Sequence, residues 1–190
     1  MKAVLMSIRP KWVEMIASGE KTVEVRRTKP KIDVPFKCYI YMTKSYDTLF
    51  GYGKPKKLNV GGGYVIGEFV CDRITEYECS SDGFGELATT CGTFLTYDEI
   101  LNYCNGNDLY GWHISDLVIY DKPKDLSGFY VEGDCDCMNC KNCAWFDRGN
   151  GYNVEDDCNL AYKGADEHKS YKPIKRPPQS WCYCEELKEN

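Results

Sequence analysis

The sequence predicts a mixed α+β chain: a small β-barrel with short flanking helices and a cysteine-rich insertion. Three observations carry that expectation. Short runs rich in aromatic and β-branched residues recur between Gly- and Pro-containing turns, the pattern of a closed or partly closed barrel. Only two segments show helical spacing. Residues 131–173 lose periodicity and fill with Cys, Asp, Asn and Gly. With 190 residues, 43% apolar and 28% charged, the chain suits one domain with its own core and excludes wholesale disorder and coiled coils. The expected domain is 1–130 plus 174–190, interrupted by the insertion.

In chain order, Lys2–Ile8 is a short apolar run bounded by Pro10 and reads as a buried strand. Pro10 suits the first turn of a helix. Trp12, Val13, Met15 and Ile16 give that helix an apolar face, and Gly19 stops it. Thr22–Arg27 alternates, with Val23 and Val25 on one face and Glu24 and Arg26 on the other, which predicts a half-exposed strand. Phe36–Met42 and Tyr64–Val70 read as strands, and the glycine-rich stretch between them reads as a loop. Thr96–Cys104 reads as a helix opened by a capping box of Thr96 and Glu99. Trp112–Tyr120 and Ser180–Cys184 complete roughly six strands, the last one entered through Pro177-Pro178.

No apolar run approaches the roughly 20 residues of a membrane span. The opening Met1–Pro10 stretch lacks the length and cleavage site of a signal peptide. The expected location is therefore cytoplasmic, away from membranes. Net charge is −5, but residues 1–37 carry nine Lys/Arg against four acids, a local +5 on a body of −10. Such asymmetry marks either an anion-binding face or a set of solvated lysines.

Gly19-Glu20-Lys21-Thr22-Val23-Glu24-Val25-Arg26 follows directly on the first helix. A carboxylate between two cations stays ionised. The three charges could hold a polar ligand, the cations taking phosphate and the carboxylate a base edge or ribose hydroxyl. The alternative is a surface ion-pair cluster worth under about 1 kcal/mol per pair. His113 can hydrogen-bond a base or exchange protons near neutral pH, or simply tie its strand to a neighbour. Trp12, Trp112 and Trp181 suit core or cleft wall, and an exposed one could stack on a base for roughly 1–3 kcal/mol. Arg176 and Ser180 flank the Pro-Pro turn and could reach phosphate.

The pattern GxKxxExR after a helix, preceded by a strand and Pro10-Lys11-Trp12, resembles the ASCH domain family of the PUA-like superfamily. Lys2–Pro30 is similar to phage- and bacterium-associated members, and so are Gly111–Leu117 and Arg176–Tyr183. The resemblance implies a PUA-like β-barrel with a cleft for RNA or a modified nucleotide. Lys21, Glu24 and Arg26 would line that cleft, with Trp12, His113, Arg176 and Ser180 as further ligand-binding candidates. Some similar proteins hydrolyse N4-acetylcytidine and others are ribonucleases, so Lys21 and Glu24 are the catalytic candidates if the chain is an enzyme. The amidohydrolases carry Thr where this chain has Glu24 and use a Glu before their second helix. Glu86 is the only acid in the matching stretch Phe84–Leu95.

The insertion carries Cys135, Cys137, Cys140, Cys143 and Cys158, with His168 ten residues further on. Overlapping C-x2-C pairs let thiolates bite one ion from tight turns, and the insertion has few apolar residues to order it otherwise. A structural Zn2+ on Cys137, Cys140, Cys143 and Cys158 is expected, with Cys135 or His168 as substitutes. A flexible acidic loop with free thiols and an iron–sulfur cluster are the alternatives. The remaining cysteines read as packing residues. The leading expectation is an RNA- or nucleotide-binding module. The same cleft as a nucleoside amidohydrolase or ribonuclease is a second reading. A third is a phage-associated interaction factor whose insertion, with nine acids to four bases over 131–169, docks a protein partner.

Overall fold

The computed structural model describes residues 2–49, 56–90, 92–134 and 169–187. The cysteines of the insertion and His168 lie outside them. The elements in order are β1 (Lys2–Ile8), α1 (Pro10–Ala17), β2 (Val23–Arg26), β3 (Phe36–Met42), β4 (Ser45–Leu49), β5 (Lys56–Gly61), β6 (Tyr64–Tyr77), α2 (Ser81–Thr89), α3 (Tyr97–Cys104), β7 (Leu109–Lys124), β8 (Tyr130–Asp134), β9 (Lys169–Pro173) and β10 (Trp181–Glu185). Six strands form one sheet in the order β10-β1-β3-β6-β7-β2. Among the described residues of this sheet, only β1 and β3 run parallel.

β1 is buried on both faces, as its unbroken apolar run requires. Val4, Met6 and Ile8 join the main core with Val13 and Ile16 of α1, Phe36, Phe69 and Trp112. Ala3 and Leu5 face a second cluster with Tyr39 and Phe129. Pro10 opens α1, and Gly19, at φ +79°, ends it. α3 carries the expected capping box between Thr96 and Glu99. A third cluster packs α2 and α3 onto Val25, Tyr77 and Leu109.

Of the closed or partly closed barrel expected, the closed form is not seen among the described residues. β2 and β10 are the two edges of the sheet, and among the described residues no ladder joins them. β2 has only four residues, and β10 is entered through two prolines that carry no N–H. Side chains bridge the seam instead. Trp181 Nε1 donates to Thr28 Oγ1 at 2.9 Å, and the Lys31 amide donates to the Tyr183 hydroxyl at 2.6 Å.

Other expectations change in detail. β2 is buried on both faces rather than half-exposed, because the curled sheet covers one face and the helical layer the other. The stretch read as a loop holds the β4–β5 hairpin. β8 pairs with β9 at the base of the insertion. α2 has no counterpart in the sequence reading: Gly83 and Gly85 weaken its helix propensity, and burial of Phe84 and Leu87 overrides that. Its cap is local, since Ser80 Oγ accepts from the Gly83 amide at 3.1 Å.

Candidate functional site

Lys21, Glu24 and Arg26 meet. Glu24 and Arg26 are two residues apart on β2 and so share a face, and Glu24 stands opposite Trp112 of β7. Arg26 Nη2 lies 3.0 Å from Glu24 Oε1, and Lys21 Nζ 3.6 Å from Glu24 Oε2. Lys21 Nζ also donates to the carbonyls of Val23 at 2.8 Å and Thr93 at 2.6 Å. Arg26 Nη2 donates to the Ser7 carbonyl at 2.8 Å, and its Nη1 to Ser180 Oγ at 3.3 Å. Trp12 is half-buried over this group, its ring 5.0 Å from Lys21 Nζ and 4.3 Å from Lys11 Nζ.

The three charged residues are only 2–7% exposed. Burial lowers the Lys21 pKa, and the Glu24 charge opposes that shift. Two cations and one anion give the cluster a formal charge of +1 in a place shielded from water. Two donors beside it are unspent: Arg26 Nε and Trp112 Nε1 are buried and, among the described residues, have no hydrogen-bond partner.

His113 does not join this group. It stands opposite Val23, so it lies on the face of the β2–β7 ladder that carries the helices. There it lines a cavity of about 420 Å³ with Thr22, Asp72, Arg73 and Ile114. His113 Nδ1 is 3.0 Å from Arg73 Nη2, and Nε2 is 2.9 Å from Thr75 Oγ1. Arginine can only donate, so Nδ1 accepts and the ring proton sits on Nε2, facing Thr75. Burial lowers the His113 pKa, Arg73 adds to that, and Asp72 opposes it. Two polar sites thus stand back to back across one ladder.

The model of the ASCH domain family matches residues 6–122, more than half of the chain. The chain belongs to the ASCH domain family. Three crystal structures of the ASCH protein from Zymomonas mobilis are similar in fold. The unmutated protein is 23% identical, with a TM-score of 0.47 over 65% of this chain and 73% of that one. Two point mutants are 22% identical with a TM-score of 0.48, covering 66% and 65% of this chain and 77% and 74% of theirs. No curated protein matches this chain.

In this ASCH domain, Ser180 reaches the charged cluster through Arg26, whereas Arg176 is exposed on the loop before β10. Trp112 is fully buried, and its ring packs 5.6 Å from Phe36 and 5.7 Å from Trp181. Cys38, Cys71 and Cys184 are buried, and burial pushes the Cys71 thiol up to about 12, which suits packing rather than nucleophilic chemistry. Among the described residues no group of His, Cys, Asp or Glu is placed to hold a metal ion, and no helix is long and apolar enough to cross a membrane. Sequence reasoning did not find Thr22, Asp72 and Arg73 as cavity residues. The signal that unites them is a slip in strand pairing, which carries no periodicity to read.

Proposed function

We propose that this ASCH domain binds RNA or a nucleotide at the seam between β2 and β10, over the Lys21–Glu24–Arg26 cluster. One observation carries the reading: a buried cluster of formal charge +1 sits beside two unspent donors, Arg26 Nε and Trp112 Nε1. Buried donors without acceptors are costly. A ligand rich in acceptors, such as a phosphate or a base carbonyl, relieves that cost. Among the described residues each bond named across the seam has a side chain on at least one side, so Ser180 and Trp181 can yield to a ligand without breaking a ladder. Trp12 with Lys11, and Arg176, are the exposed or half-buried groups at hand to stack on a base and meet phosphate.

The reading is binding rather than turnover. The Lys21 ammonium is tied up by two carbonyls and a carboxylate, so its three donors are spent on holding β2 and Thr93 in place. Glu24 supplies no hydroxyl nucleophile, so release of cytidine from N4-acetylcytidine is not expected. A structural Zn2+ on Cys137, Cys140, Cys143 and Cys158 belongs to the same proposal. Four thiolates would fill the tetrahedron and leave no open position for chemistry.

Filter binding of single-stranded RNA across a salt series tests the reading. Affinity should fall with salt, log K against log concentration having a slope of about −0.7 per phosphate neutralised. Arg26→Lys keeps the charge and removes Nε, so it should weaken binding several-fold while the circular dichroism spectrum is unchanged. Absence of RNA and nucleotide binding at low salt overturns the proposal, and so does a folded Arg26→Lys variant of unaltered affinity.

A further inference from the structure

We infer that the cavity lined by Thr22, Asp72, Arg73, His113 and Ile114 is a second site, which takes a single guanine base between Arg73 and Asp72. The inference rests on the nucleic-acid reading above and adds a base preference to it. The local backbone explains why two consecutive residues can serve one cavity. Along β6 and β7, Cys71 pairs with Ile114 and Ile74 pairs with Trp112, so Asp72 and Arg73 together stand opposite His113 alone. That is a β-bulge, which re-aims side chains that would otherwise alternate between faces. Both residues are exposed and both line the cavity.

The chemistry of the lining selects the ligand. Arg73 gives one N–H to His113 Nδ1 at 3.0 Å, and the His113 ring is held in turn by Thr75. One end of the guanidinium is thereby fixed, and its other donors remain for a planar partner. A bare phosphate fits poorly, because the Asp72 carboxylate lines the same space. The ligand must offer acceptors to Arg73 and donors to Asp72. Around the guanine ring, two adjacent acceptors, N7 and O6, are followed by two adjacent donors, N1–H and the N2 amino group. Arginine pairs with N7 and O6 in the commonest specific base contact, and a carboxylate matches the two donors. Adenine places an amino group where O6 would be and so turns a donor toward Arg73. Cytosine offers the carboxylate one donor group in place of two. The volume of about 420 Å³ lies in the range of small-ligand pockets.

Calorimetric titration of the full chain with GMP, IMP, AMP and CMP tests this, with the His113 ring resonances followed by NMR. GMP should bind about tenfold or more tightly than AMP or CMP, the scale of one good bidentate pair. IMP, which lacks the N2 amino group, should fall between. GMP should shift the His113 signals. Asp72→Asn and Arg73→Lys should each abolish the preference without lowering the melting temperature, since both side chains are exposed. Equal affinity for the four nucleotides overturns the inference, as does a preference that survives both substitutions. If RNA still binds with the expected salt slope, the function proposed above stands and only the guanine site fails. If neither RNA nor any nucleotide binds, both fail.

Discussion

Glu24 sets the charge balance of the buried cluster. It lies 3.0 Å from Arg26 and 3.6 Å from Lys21, and without it two cations would face each other out of water. Removing one partner of a buried ion pair costs about 3–5 kcal/mol. Glu24→Ala should therefore lower stability on that scale, read as a fall in the urea midpoint. A loss below about 1 kcal/mol would mean that the cluster behaves as a surface pair. His113 makes a separate prediction. Its folded pKa lies below the unfolded value of about 6.5. The unfolded chain thus binds the proton more readily, and the stability this residue contributes is present above about pH 6.5 and lost as the pH falls through the lower folded value. His113→Gln should flatten the stability profile between about pH 7 and 5. Identical slopes for the variant and the wild type would refute this account.

At the scale of elements, the helical layer is fastened to β2 at Gly92. Its carbonyl accepts from the amides of Thr22 and Val23, both at 3.1 Å. Gly92 adopts φ +86°, and an added Cβ would overlap the Thr22 hydroxyl and stand 3.2 Å from the Thr22 amide nitrogen. Gly92→Ala combines left-handed strain with a clash against the Thr22 side chain and should cost about 1–3 kcal/mol. It should also disturb the Thr22 wall of the cavity, so thermal denaturation and the His113 NMR signal should change together. A variant with wild-type stability would show that this contact yields freely.

The whole molecule joins a basic N-terminal segment of +5 to a body of −10. Residues 6–122 carry the family match and both polar sites, while β10, from the far end of the chain, supplies Ser180 and Trp181 to the seam. The insertion interrupts the chain between these parts. The proposed zinc predicts about one Zn2+ per purified chain by mass spectrometry, since one tetrahedral site uses four ligands. Cys140→Ser should reduce that content. Metal-free protein purified without chelators would remove zinc from the account, and iron in its place would point to a cluster.

Local patterns in the sequence determined β1, the Pro10 start and Gly19 stop of α1, the capping box of α3 and the grouping of Lys21, Glu24 and Arg26. These features follow from spacing within a few residues. Helix α2 was hidden because its glycines argue against a helix until Phe84 and Leu87 find their core. The absence of a closed barrel among the described residues, the burial of β2 on both faces and the cavity at Asp72 and Arg73 were decided only by tertiary structure. Each depends on which distant strand comes alongside and on the residue at which the ladder slips. A sequence read one segment at a time contains the alternation of a strand but not the partner that covers it.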